Sequence, residues 1–190
     1  MNTHPNLING RMNDTPLTAK GIEQSRKLGK WLKRHSFEPS AIYTSPAVRT
    51  MQTAHYALKE MGNTTTPIIE DALQELDQGE WVGRERSDIY TDEQMVELHR
   101  MGKDFKAPGG ESMNEVSTRV IDWADSQLGQ QCVLAFTHGF AIRCFPSKLF
   151  DWSNKETFAV DIPNVSITKL THSDAGWELD YIAKEIDKVY

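Results

Sequence analysis

The chain has 190 residues, with 21 Lys and Arg against 27 Asp and Glu and a formal net charge of −6. That length suits one domain with a core of its own, and the acidic balance argues against a nucleic-acid groove or an anionic membrane as the main partner. With 38% hydrophobic and 25% charged residues the chain is neither disordered nor collagen-like, and no apolar run nears the ~18 residues of a membrane span.

The stretch up to Pro16 reads as loop, punctuated by Pro5, Asn9-Gly10, Asn13-Asp14 and Pro16 itself. Thr18 is a good N-cap for a helix that carries Ile22, Leu28, Trp31 and Leu32 on one side. Ala41 to Thr44 reads as a short buried strand. Ser45-Pro46 then predicts a second helix, with Ser as N-cap and Pro at the first helical position, running to a stop near Gly62. Pro67 to Glu70 is a short strand, and Leu73 to Gly83 is irregular. Thr91-Asp92-Glu93-Gln94 and Ser112-Met113-Asn114-Glu115 are capping boxes that predict helices near 92–101 and 113–128. Between them lies a charged loop closed by Pro108-Gly109-Gly110. Val133 to Thr137 is the clearest buried strand, with His138-Gly139 at its carboxyl end and a short helix after it. Val165 to Thr171 and Trp177 to Ile182 predict two late strands, read as an antiparallel hairpin at one edge. Strands alternating with helices predict an α/β fold: a three-layer sandwich with a mostly parallel sheet flanked by helices and an antiparallel edge strand.

Ligands of open α/β sheets bind beyond the carboxyl ends of the strands. Arg49 falls in the first turn of the helix after the first strand, where free backbone N–H groups favour an anion and a guanidinium fork matches phosphate oxygens. The bland reading makes it a surface residue paired with a carboxylate. His138 followed by Gly139 puts an imidazole on the same rim and lets a ligand approach the backbone; a structural histidine is the competing reading. A carboxylate in the segment Leu73 to Trp81, set among apolar residues, is a candidate proton donor with a raised pKa. Spacing leaves Glu75, Asp77 and Glu80 equally eligible.

Other constellations fail. No P-loop, no dinucleotide-type glycine pattern and no G-x-S-x-G elbow is present. Cys132 and Cys144 have no metal-ligand spacing, and two cysteines imply neither a disulfide framework nor an oxidising compartment, so a cytoplasmic location is the expectation. Met1 to Asn6 has no basic stretch followed by an apolar one, so no secretory signal is expected. His4, His35, His55, His99 and His172 are scattered and read as surface or packing residues.

Five segments in register resemble the histidine phosphatase superfamily, the phosphoglycerate mutase-like enzymes. They are Asn9-Gly10-Arg11 with Pro16-Leu17-Thr18-Ala19-Lys20-Gly21; Ser45 to Ala54, similar to S-P-x-x-R-x-x-Q-T-A; Leu73-Gln74-Glu75 through Gly79, Trp81 and Gly83; Pro108-Gly109-Gly110-Glu111-Ser112; and Thr137-His138-Gly139 with Ile142-Arg143. The resemblance spans nearly the whole chain. It implies phosphoryl transfer through a phosphohistidine, with no metal and no cofactor. Carried over by position, Arg49 is a phosphate clamp, Glu75 the general acid, His138 the second pocket histidine with Gly139 beside it, Asn2 the pocket asparagine, and Arg11 a residue near the substrate. Residues 1–190 form one such domain, with a lid-like insertion about 76–110 whose Arg84, Arg86, Lys103 and Lys106 face an acidic substrate or, in the bland reading, solvent.

One motif departs. The family's nucleophile sits in R-H-G-[EQ] at the end of the first strand, and this chain begins Met1-Asn2. The resemblance therefore implies a strand and motif upstream of Met1, roughly a dozen residues given a strand of ~5–6. It also implies that the chain as written is impaired, because neighbouring strands lose a buried ladder partner. The expected activity of the complete protein is hydrolysis of a small phosphomonoester. Phosphoglycerate mutase-type transfer and a non-catalytic phosphate-binding pseudophosphatase are the alternatives.

Overall fold

A computed structural model describes residues 6–186; Asn2 and His4 lie outside the described residues. In chain order the elements are α1 (Ala19–Arg34), β1 (Ala41–Thr44), α2 (Val48–Met61), β2 (Ile68–Ile69), α3 (Arg86–Ile89), α4 (Asp92–Met101), α5 (Met113–Ser126), β3 (Val133–Phe136), α6 (Gly139–Leu149), α7 (Asn154–Ala159), β4 (Ile167–Ser173) and β5 (Gly176–Lys184). Single 3₁₀ turns span Asp71–Leu73, Gly79–Trp81 and Gly102–Asp104. Among the described residues no helix is long and apolar enough to cross a membrane.

The parallel sheet has the order β2-β1-β3. β1 and β3 pair in full register from Ala41 with Val133 to Thr44 with Phe136, so their carboxyl ends finish level. Period-two alternation distributes β1 between two layers. Ile42 joins Leu28, Trp31, Leu32, Ala54, Ala57, Leu58 and Phe136 in the core under α1 and α2. Tyr43 points the other way: its ring meets Trp123 of α5 edge-on at 5.4 Å and its hydroxyl donates to Gln127 at 2.7 Å. On that side Met113, Val116, Val120 and Ala124 of α5 pack on Ala141, Cys144 and Phe145 of α6.

Local caps act where the sequence places them. The Thr18 hydroxyl accepts from Gly21 N at 3.2 Å, Ser112 and Glu115 form a reciprocal capping box, and Gly62 closes α2 at φ 83°. Four details differ from expectation. α2 begins at Val48 with Ala47 as its uncapped N-cap, because the Ser45 hydroxyl is engaged by a tertiary partner described below. α5 ends at Ser126, two residues early. Val165 takes φ 57°, a conformation foreign to a strand, so β4 starts at Ile167. The hairpin β4–β5 forms its own antiparallel two-stranded sheet instead of pairing with the parallel one.

β3 is accordingly an edge of the parallel sheet among the described residues. Its Val133, Leu134 and Ala135 are only part-buried, and Phe136 alone is buried, although the run is apolar throughout. A cavity of about 2190 Å³ lies along this edge; it is lined by Leu134 and Ala135 on one side and by Leu170 and Trp177 of the hairpin on the other. A third small core, Ile8, Trp81, Ile89 and Ala107 with Tyr90 and Phe105, holds the segment between Glu75 and Glu111 against the N-terminal loop.

α1 and α2 approach so closely that a Cβ built on Gly29 would stand 2.1 Å from the Ala57 carbonyl oxygen. Gly29→Ala should therefore destabilise the fold by about 1–3 kcal/mol through overpacking, despite alanine's helix propensity. Gly129→Ala, whose Cβ would meet nothing within 4 Å, should change stability by less than about 0.5 kcal/mol. Urea denaturation of the two variants checks the contrast.

Candidate active site

Level strand ends bring two junctions together. β1 runs into Ser45 and the first turn of α2, and β3 runs into Thr137, His138 and the first turn of α6. Arg49 reaches across this rim. Its guanidinium donates to Met12 O at 2.7 Å, to Gly10 O at 3.4 Å and to His138 Nδ1 at 3.2 Å. Burial works against its charge and the nearby Glu75 supports it.

A guanidinium has donors only, so His138 Nδ1 must be the accepting nitrogen and the ring proton sits on Nε2. Nε2–H then donates to Ser45 Oγ at 2.8 Å, and that oxygen also accepts from Ala47 N at 3.4 Å. His138 is 7% exposed. Burial, followed by the charges of Arg49, Arg119 and Arg11, pushes it down to about 3, so the imidazole is neutral at ordinary pH.

Glu75 enters from the irregular segment, which Thr137 pins by donating its hydroxyl to Leu73 O at 2.7 Å. Its carboxylate accepts from Leu76 N at 2.9 Å and from Phe140 N, in the first turn of α6, at 3.4 Å. The surface Glu75 retains lines the cavity. Desolvation there raises its pKa, against the two N–H groups and the charges of Arg49 and Arg119. Asp77, by contrast, caps Gly79 N at 2.8 Å, and Glu80 is exposed.

Arg49, Glu75, His138 and Gly139 thus line one cavity. At Gly139 an added Cβ would come no nearer than 3.7 Å to Ile162, so the protein itself leaves room there. Arg11 turns into the Glu75 loop, donating from Nε to Glu75 O at 3.0 Å and pairing with Glu111 at 2.7 Å. Asn2 lies outside the described residues. Of Arg84, Arg86, Lys103 and Lys106, Arg86 and Lys106 line the cavity. Lys106 also pairs with Glu115 at 2.9 Å, and Lys103 donates to Ser147 O at 3.3 Å. Among the described residues no group of three or more His, Cys, Asp or Glu is placed to hold a metal ion.

Sequence reasoning missed Ser45 and Arg119. Ser45 stands in the S-P-x-x-R segment, but its position predicts a helix cap. Arg119, on α5, donates to Ala72 O at 2.6 Å and Glu75 O at 3.1 Å, and no local pattern marks it.

The strand ends of this α/β sheet thus present a guanidinium, a neutral imidazole, a carboxyl whose pKa is raised by desolvation, and a helix N-terminus, groups whose chemistry suits an anion. A family model, histidine phosphatase superfamily (branch 1), matches residues 2–185. The chain belongs to that superfamily. It is 30% identical over 166 residues to a 2,3-bisphosphoglycerate-dependent phosphoglycerate mutase of Parvibaculum lavamentivorans, covering 83% of this chain and 78% of that one. Identity to the enzyme of the same name from Methylobacterium radiotolerans is 32% over 146 residues, covering 73% and 68%. Among solved structures, a mycobacterial glucosyl-3-phosphoglycerate phosphatase with inorganic phosphate shares the fold at a TM-score of 0.80 and 21% identity, covering 96% and 93% of the two chains. The alpha-ribazole phosphatase of Shigella flexneri does so at 0.77 and 20%, covering 94% and 88%.

The lowered His138 value carries a sign that can be checked. Between the ordinary 6.5 and about 3 the unfolded chain binds a proton that the folded one refuses. Stability from this group therefore falls as pH drops through that window, by up to about 1.4 kcal/mol per pH unit. Glu75, with a raised pKa, acts oppositely: its contribution is present at low pH and lost as pH rises. Urea denaturation should show His138→Gln losing less stability than the parent between neutral pH and about pH 5. Equal losses would contradict the buried neutral imidazole.

Proposed function

We propose that the protein hydrolyses a small phosphomonoester through a phosphohistidine. The observation that carries this reading is the convergence of Arg49, His138 and Glu75 on one cavity at the carboxyl ends of β1 and β3. Arg49 holds a phosphoryl oxygen with the fork it now turns on backbone carbonyls. His138, neutral with its one proton on Nε2, donates to a second oxygen by leaving Ser45. The first turn of α6 adds N–H groups and a positive dipole end.

In the first step an imidazole nitrogen attacks phosphorus, the N–P bond forms and the P–O bond to the alcohol breaks. Glu75 supplies its proton to the departing alkoxide. In the second step water attacks phosphorus, Glu75 takes the water proton back, and phosphate leaves as the N–P bond breaks. The upward shift of the Glu75 pKa favours both halves, since it eases protonation of the carboxyl that donates in the first step and accepts in the second.

The attacking imidazole is carried, in this proposal, on a strand that pairs with the edge of β3 left unpaired among the described residues. Support comes from that unpaired edge and from the cavity separating it from the hairpin. The segment between Glu75 and Glu111, with Arg86 and Lys106 turned to the same cavity, is proposed as the lid over the substrate. Names of relatives favour a second reading, mutase-type transfer, in which the phosphoryl group returns to the sugar-acid skeleton. Assaying 3-phosphoglycerate for released phosphate against isomer formation separates the two.

The test uses protein extended upstream by the expected strand and R-H-G motif. With an alkyl phosphate, Glu75→Gln should lower kcat by about 10²–10⁴-fold, while with p-nitrophenyl phosphate, whose phenolate leaves unaided, the loss should stay below about tenfold. Arg49→Ala should cost about 10²–10³-fold with both. Turnover no higher than that of a His138→Ala control sinks the enzyme reading.

A further inference from the structure

Glu75 depends on an arrangement that the two reaction steps above do not use. Its backbone carbonyl accepts two guanidinium hydrogen bonds, from Arg11 Nε at 3.0 Å and from Arg119 Nη2 at 3.1 Å. The arginines come from distant parts of the chain, one from the N-terminal loop and one from α5. Glu111 joins them: one of its oxygens accepts from Arg119 Nε at 3.1 Å, and the other lies 2.7 Å from Arg11 and 3.1 Å from Arg119 Nη2. The same Glu111 binds the loop directly, its carboxylate accepting from Asp77 N at 3.2 Å and its own N–H donating to Asp77 O at 2.9 Å.

We propose that Arg119, Arg11 and Glu111 are positioning residues, a brace that fixes the peptide of Glu75 so that its carboxyl points into the cavity as proton donor. None of the three needs to touch substrate. Arg119 also donates to Ala72 O, so its fork spans the segment on both sides of Leu73. Burial opposes ionisation of Glu111, yet Arg119, the Asp77 N–H and Arg11 hold its carboxyl below the usual range. The two carboxyls are thus shifted in opposite directions, Glu111 down by its arginines and Glu75 up by desolvation.

The turn at Pro108-Gly109-Gly110 delivers Glu111 to this place. A Cβ on Gly79 would stand 2.1 Å from Pro108 O, and one on Gly110 would stand 2.6 Å from Asp77 O. Two backbones touch there, which is why both segments carry glycine. Charge alone does not account for the arrangement. A cation near Glu75 needs one point charge, whereas here two planar forks converge on one carbonyl and share one carboxylate.

The inference rests on reading Glu75 as proton donor, and it is tested without turnover. Carbon-13 NMR of glutamate-labelled protein follows the Glu75 side-chain carboxyl, identified by its absence in Glu75→Gln. Facing that carboxyl are the charges of Arg49 and Arg119, the N–H groups of Leu76 and Phe140, and the Cys144 thiol, which is pushed up to about 12 and neutral. Arg119→Lys preserves the charge and removes the fork. The expected result is a Glu75 midpoint lower than the parent's, toward the ordinary glutamate range, in protein that still melts cooperatively. An unchanged midpoint in folded Arg119→Lys overturns the brace and leaves Arg119 as a mere charge. Should that variant fail to fold, Arg11→Lys makes the same comparison from the other side, with the same two outcomes. If the midpoint falls but Glu75→Gln hydrolyses alkyl phosphate normally, the brace stands and the proton-donor reading falls.

Discussion

Arg49 can only donate, and it donates to His138. That one contact sets the state of the whole site. It fixes a lone pair on Nδ1, places the proton on Nε2, and presses a cation against a base already short of water, so the imidazole remains neutral down to about pH 3. The contact exists because β1 and β3 run parallel in full register and end level at Thr44 and Phe136. A slip of one residue would reverse which side chains face α1 and α2 and would carry Ser45 away from His138. Thr137 and the Glu75 loop are tied to the same strand ends, through Leu73 O and through the bond from Glu70 N to Thr44 O at 2.9 Å.

Electrostatics within the cavity are consistent with this frame. Several guanidinium groups crowd a chain of net charge −6 into a locally cationic centre. They do so without repelling apart because each is matched: Arg49 by the carbonyls of Met12 and Gly10, Arg11 and Arg119 by Glu111 and the loop carbonyls.

Much of this was legible in the residues, for reasons that are local. Thr18, Ser112 with Glu115, and Gly62 act on their own neighbours, so α1, α5 and the end of α2 follow from sequence almost residue by residue. Arg49, Glu75 and His138 were legible as strand-end residues and through the family's motifs, although spacing alone left Glu75 level with Asp77 and Glu80. What escaped depends on distant chain. Ser45 reads as a helix cap until His138 claims its hydroxyl. The apolar run Val133 to Ala135 reads as fully buried, but burial belongs to what lies beside a strand, and among the described residues β3 is an edge. Arg119 carries no local signal, since its partners are 8 to 47 residues away in sequence.

A phosphate pocket at the His138–Arg49 junction must respond to inorganic phosphate itself. Nitrogen-15 NMR of histidine-labelled protein titrated with inorganic phosphate reads that response. Of the histidine signals, those of His138 should shift saturably, starting from a neutral Nε2–H ring, and should lose the response in Arg49→Ala. A His138 signal that ignores phosphate, or that responds equally in Arg49→Ala, would contradict it.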